Sequence, residues 1–212
     1  MNFSSMPRFD APVDFVSESS MLLKLIRERS YREGDFTLAS GKKSKFYIDM
    51  KATTLSAPGA HLIGRLGFHM IRQFSEKRFA GGGPSSGTST IRGVGGLTLG
   101  ADPIATAISL AGFVQGVDWP AYIVRKEAKE HGTGRQVEGH ENLPPKAKVI
   151  VLEDVVTTGG SSIKAIDALR AAGYDPVAVL TVVDREEGGE AALKATGLEF
   201  LRLLSISEIR GG

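Results

Sequence analysis

The chain has no cysteine among its 212 residues. That excludes disulfide cross-links, thiolate metal sites and a cysteine nucleophile, and it agrees with an expected location in the reducing cytoplasm. Long apolar runs are missing as well. None approaches the roughly 18 residues of a membrane span, and the opening MNFSSMPRFD lacks a basic-then-apolar signal pattern, so no membrane partner is expected. There is no excess of charge of one sign: 26 Lys and Arg stand against 24 Asp and Glu, a net +2 at pH 7. No general field for nucleic acid exists, and any basic function must sit in a local cluster. Neither G-x-G-x-x-G nor G-x-x-x-x-G-K-[ST] occurs, which weighs against a dinucleotide or P-loop site.

What is present is an ordinary globular composition, 42% hydrophobic and 24% charged, at a length that fits one domain with room for a small subdomain. The chain is organised around residues 149–162, VIVLEDVVTTGGSS. Val149 to Leu152 are all aliphatic, which suits a strand buried on both faces of a parallel sheet. Glu153 and Asp154 follow at its end, then Val155, Val156 and the small residues Thr157, Thr158, Gly159, Gly160 and Ser161. Ile163, Ile166 and Leu169 repeat at helical spacing until Gly173 offers a stop. A strand, a short loop and a helix start place unpaired backbone amides where an anion can meet them. The two carboxylates would repel a phosphate and suit neutral hydroxyls instead, such as a ribose pair. By itself such a stretch is also compatible with a plain strand, turn and capped helix.

The rest of the chain reads in order. Residues 1–16, with Pro7 and Pro12, form a loose leader, and 17–31 a helix capped by Ser19 or Ser20 with Met21, Leu22, Leu25 and Ile26 on its apolar face. A β-hairpin is expected over 36–51, turning at Ser40-Gly41. Residues 58–78 make a long amphipathic helix, and 80–90, AGGGPSSGTST, a surface loop. Its Gly83-Pro84-Ser85-Ser86-Gly87 matches the esterase elbow G-x-S-x-G in form only, since no apolar strand precedes it and no helix follows. A short strand at 91–96 leads through a Gly-rich turn to a helix over 101–114, and 121–124 is another strand. Residues 125–142 are too polar to pack and too long for a simple connection; Glu127, Glu130, Glu138 and Glu141 nearly balance the cations there. The apolar strand 176–184 ends at Arg185, which has Glu186 and Glu187 beside it as ion-pair partners. In a parallel sheet ligands collect at the carboxyl ends of strands, which puts Arg185 near the loop after Asp154. A short helix at 186–197, a last strand at 197–206 and an exposed tail complete the chain.

The string EDVVTTGGS resembles the phosphoribosyl-diphosphate (PRPP) motif of the type I phosphoribosyltransferases, and within them the orotate phosphoribosyltransferases. Three further stretches are similar to that family in the same order: FTLASGKKSKFYIDMK at 36–51, GGLTLGADP at 95–103 and R-K-x-x-K-x-H-G at 125–132. The resemblance spans about 17–208. It implies an α/β fold with a central, mostly parallel sheet flanked by helices, a small N-terminal hood over 1–55, a core over 56–212 and a mobile lid at 125–142. It implies transfer of a phosphoribosyl group from PRPP to orotate in pyrimidine biosynthesis. Carried over residue by residue, PRPP is met by Arg125, Lys126, Lys129, His131, Glu153, Asp154, Val155, Val156, Thr157, Thr158, Gly159, Gly160 and Ser161, and orotate by Thr157, Arg185, Phe46 and Tyr47. Lys126, Lys129 and His131 are the implied catalytic residues, acting on the departing diphosphate, some of them across a homodimer interface. Mg²⁺ is expected on the diphosphate and water, without direct protein ligands.

Two departures accompany the resemblance: Ala39 stands where many members carry a lysine, with Lys42, Lys43 and Lys45 nearby, and no lysine lies between Gly95 and Pro103. Rival readings are a phosphoribosyltransferase for another base, which would not need Arg185 to receive a carboxylate, and a PRPP-sensing regulator. A regulator of that kind usually adds a DNA-binding helical unit, for which the 16 leading residues leave no room.

Overall fold

The computed structural model describes residues 6–37, 41, 43–79, 91–127 and 136–211. At its centre a six-stranded sheet runs in the order β5-β4-β3-β6-β7-β8. The strands are β3 (Ile91–Leu97), β4 (Ala121–Val124), β5 (Val137–Glu138), β6 (Lys148–Val156), β7 (Asp175–Asp184) and β8 (Glu199–Ser205). All neighbours are parallel except β5, which pairs antiparallel with β4 at the edge. A separate antiparallel hairpin joins β1 (Tyr31–Thr37) to β2 (Lys43–Ile48).

Strand alternation divides the core between the two faces of β6. Ile150 and Leu152 point to one side, into a cluster with Leu22, Leu62, Leu66 and Ile108 from α1 (Phe15–Arg29), α3 (Ala57–Phe79) and α4 (Asp102–Val114). Val149 and Val151 point to the other side, against Ala165, Ile166 and Leu169 of α5 (Gly160–Ala171). A run with no polar position is what a strand covered by helices on both faces requires.

Four expectations need correction. Residues 6–14 are not a loose leader. Buried Arg65 of α3 donates to the carbonyls of Arg8, Ala11 and Pro12, the last two at 3.0 and 3.1 Å, while Gln115 donates to Phe9 O at 3.0 Å. The same guanidinium holds the buried carboxylate of Glu18 through Nε and Nη2 at 2.8 and 2.7 Å. This consumes the donors that only a long, forked side chain can aim at several carbonyls at once. The cap of α1 is Asp14 rather than Ser19 or Ser20: its carboxylate accepts from Ser17 N at 3.1 Å, so the helix starts before the expected first residue.

The residues after β8 are not an exposed tail either. They form α7 (Ile206–Arg210), with Ile206 and Ile209 buried and a capping box between Ser205 and Glu208. Arg27 fastens its end by donating to Ile209 O at 2.6 Å and Glu208 O at 2.8 Å. Likewise 137–142 packs more than its polarity suggested, since Val137 is buried and pairs with Val124. The two short helices α2 (Lys51–Thr54) and α6 (Gly189–Lys194) complete the described elements.

Candidate active site

The loop between β6 and α5 turns at Gly159, whose φ of +82° is a left-handed conformation that glycine adopts without a Cβ penalty. The turn aims the first amides of α5 into a concavity of about 300 Å³ lined by Glu153, the loop 155–161, Ser162 and Lys164. Backbone donors and hydroxyls dominate that lining, which suits a phosphate. A larger groove of about 550 Å³ lies between α3 and β8, at the far edge of the sheet. It has no helix start turned into it, so the chemistry belongs to the smaller one.

The two acidic residues lie within β6, which runs two residues past Asp154, and their carboxyls are close enough to hydrogen-bond to each other. Glu153 is buried and accepts a hydrogen bond from Ser162 Oγ at 3.1 Å. Burial first and the neighbouring charge of Asp154 second push its carboxyl up to about 8. At neutral pH Glu153 therefore holds a proton, and it can donate as well as accept. Asp154 is also raised, by burial, but the charge of Lys51 works in the opposite direction.

The turn after β3 closes on Asp154. A Cβ on Gly100 would stand 2.6 Å from Asp154 Oδ1, so only glycine permits this approach. Thr98 N donates to Val124 O at 2.9 Å and Thr98 Oγ1 to Asp102 Oδ2 at 2.6 Å, fixing the turn between two strands and the start of α4.

On the other side of the loop, Arg185 N donates to Val156 O at 2.9 Å, which places Arg185 at the end of β7 beside β6. Its guanidinium carbon sits 4.7 Å from the centre of the Phe46 ring, carried in by the β1–β2 hairpin, and Arg210 of α7 stacks on the same ring at 5.5 Å. Of the aromatic pair, only Phe46 reaches Arg185. Tyr47 projects from the opposite face of β2, is 44% exposed and packs 5.6 Å from Phe36. The ion pair foreseen for Arg185 is with Glu187, at 2.8 Å.

Arg125 N donates to Gln136 O at 2.9 Å, while Gln136 Nε2 donates to Arg125 O at 2.9 Å, and the guanidinium pairs with Glu138 at 3.2 Å. These contacts bring the two ends of 125–136 together at the edge of the sheet. Lys126 is exposed. Lys129, His131, Ala39, Lys42 and the loop 80–90 lie outside the described residues.

Sequence reasoning passed over Lys51, which follows β2, holds Asp49 at 2.8 Å and sets its charge against Asp154. No spacing signal marks it. Its importance depends on how the hairpin returns to the core. Arg210 was missed for the same reason, as part of a supposed tail.

The strand–loop–helix with its acidic pair defines a phosphoribosyltransferase, and residues 95–196 match the family model described as the phosphoribosyl transferase domain. The orotate phosphoribosyltransferase of Thermosynechococcus vestitus is 47% identical over 188 residues, covering 89% of this chain and 90% of that protein. Among solved structures, Mycobacterium tuberculosis orotate phosphoribosyltransferase in complex with Fe(III) dicitrate matches with a TM-score of 0.72 and 37% identity, over 91% of this chain and 99% of that one. The same enzyme in complex with PRPP matches at 0.67 and 33%, over 91% and 98%. The chain belongs to the orotate phosphoribosyltransferase family.

Proposed function

We propose that the chain transfers the 5-phosphoribosyl group of PRPP to orotate, giving orotidine 5′-monophosphate and diphosphate. The observation that carries this reading is the adjacency of two unlike corners: an amide-lined cradle at 157–160, and Arg185 stacked on Phe46 across the end of β6. The first suits a sugar phosphate, and the second a flat ring that bears a carboxylate.

In this reading the 5′-phosphate lies against the amides and hydroxyls of 155–161, including Thr157, Thr158 and Ser161. Glu153 and Asp154 hold the ribose hydroxyls, Glu153 through a proton it already carries. Asp154 is placed to offset cationic character at C1′ as the bond to diphosphate lengthens. Orotate is received by Arg185, Phe46, Thr157 and main-chain groups around Tyr47; being an anion, its ring nitrogen needs little help from a base. Arg125, Lys126, Lys129 and His131, on the part of the expected lid that precedes β5, meet the diphosphate, and Lys126, Lys129 and His131 offset its growing charge. Lid closure keeps water from trapping the cation.

No group of three or more His, Asp or Glu among the described residues is placed to cage a metal, and the acidic pair is driven toward protonation. Such a donor set fits Mg²⁺ held by diphosphate oxygens and water. Carried there, the ion would supply charge neutralisation on the leaving group. We also assign 1–55 as a hood bringing Phe46 to the core at 56–212, and a homodimer in which lid residues are shared. An apolar outward stripe on α4, with Phe113 73% and Leu110 51% exposed, supports a second copy as partner. The absence of cysteine supports a cytoplasmic enzyme.

The test is loss of orotate ultraviolet absorbance with PRPP and Mg²⁺, set against adenine, hypoxanthine and uracil. Turnover of orotate alone is expected. Turnover of another base in its place would overturn the assignment, and PRPP binding without any turnover would favour a sensor.

A further inference from the structure

The side chain of Arg185 is 7% exposed, and a guanidinium cannot shed its proton to relieve burial. A charge in that position needs a counter-charge at all times, because an unpaired buried ion is costly. Glu187 supplies it. One carboxylate oxygen accepts from Nε at 3.0 Å and stands 2.8 Å from Nη2, and so occupies one forked edge of the group.

The two consecutive glutamates are employed differently. Glu186, at φ +57°, turns away, and its carboxylate accepts from Ser207 N at 3.2 Å and from Ser207 Oγ, tying the segment to α7. Glu187 is 24% exposed and sits between β7 and α6, so its side chain can swing to water without unpacking an element. Phe46 covers one face of the guanidinium, which leaves a ligand to approach along the edges.

We infer that Glu187 is a built-in stand-in for the carboxylate of the substrate: it neutralises Arg185 while the base site is empty and yields to the carboxylate of orotate. This rests on the reading of Arg185 as the group that receives that carboxylate. An arriving anion must either take over the occupied edge or settle within a few ångströms of a like charge, and both weaken its binding. Glu187 is thus a positioning residue with an unusual sign, since removing its charge tightens the carboxylated ligand. A ligand without a carboxylate leaves the pair intact and gains nothing from the change.

The product and its decarboxylated counterpart provide the test, because each carries its own phosphate anchor. Calorimetry would compare orotidine 5′-monophosphate with uridine 5′-monophosphate on the wild type, Glu187→Gln, Glu187→Asp and Arg185→Gln. Glu187→Gln should bind orotidine 5′-monophosphate about tenfold more tightly, with uridine 5′-monophosphate unchanged or weaker, and Glu187→Asp should return toward the wild type. Arg185→Gln should reduce the two ligands to similar affinity.

Equal or weaker binding of orotidine 5′-monophosphate by Glu187→Gln, with Arg185→Gln behaving as expected, overturns the stand-in role and leaves the reading of Arg185 in place. Tightening of both ligands also overturns it, by pointing to a general change of field. Failure of Arg185→Gln to weaken orotidine 5′-monophosphate removes the reading of Arg185, and the inference falls with it.

Discussion

Phe46 and Arg185 meet face to cation at 4.7 Å although one leaves a hairpin near the start of the chain and the other ends a central strand. Because the guanidinium is largely desolvated, the ring contributes on the order of 1–2 kcal/mol to holding it. Phe46→Leu keeps the apolar bulk and removes the π face. The KM for orotate should rise about fivefold to tenfold with the KM for PRPP unchanged, as steady-state kinetics with each substrate varied would show. An equal rise in both would argue that the hairpin itself had shifted.

Glu153 makes stability depend on pH in a direction opposite to that of most acids. Its carboxyl is raised from 4.5 to about 8 by burial and by Asp154. Between those values the folded protein keeps a proton that the unfolded chain has lost. Stability from this group is therefore fully present below about 4.5 and falls as pH rises to about 8, by up to about 1.4 kcal/mol per unit. Glu153→Gln should melt higher than the wild type at pH 8, with the gap shrinking toward pH 5. Parallel melting curves across that range would mean the carboxyl is not raised.

Gly100 is required by the carboxylate beside it. Gly100→Ala would set a Cβ 2.6 Å from Asp154 Oδ1, displacing either the turn or the acid by a fraction of an ångström to an ångström. Such a shift should lower kcat/KM for PRPP by about a hundredfold with only a small change in melting temperature. A fully active variant would show that the approach of this turn is incidental.

If Lys129 meets the diphosphate as proposed, its charge matters most in the transition state. Lys129→Ala should lower kcat far more than it raises the KM for PRPP. If only KM moves, its role is binding.

Arg65 and Glu18 form a buried pair, and the same arginine ties down residues 6–14. Arg65→Met strands a buried carboxylate and three carbonyls, and should cost about 3–5 kcal/mol in urea unfolding. Adding Glu18→Gln should recover part of that loss, whereas strictly additive losses would mean that the two groups do not act as a pair.

The strand, loop and helix at 149–171 could be read directly from the residues, because burial on both faces and a helix start leave local traces: an unbroken aliphatic run, then glycine and hydroxyls, then a period of about 3.6. The long helix α3 and the strands β4 and β7 were legible for the same reason. Nothing local marks which distant group a side chain will meet. Phe46 and Tyr47 are adjacent and similar in type, and only the docking of the hairpin decides that one faces Arg185 while the other faces Phe36. The leader and the C-terminal helix read as loose because their order comes from Arg65 and Arg27, residues far away in the chain.

The proton on Glu153, the charge of Lys51 beside Asp154 and the occupancy of Arg185 by Glu187 belong to the same category. By itself the sequence determined the elements, their order and the anion-binding loop, since these follow from periodicity and backbone chemistry within a few residues. Tertiary structure alone decided which charges face one another and how deeply they are buried. Electrostatic energies depend on distance and desolvation, and neither quantity exists until the chain has folded.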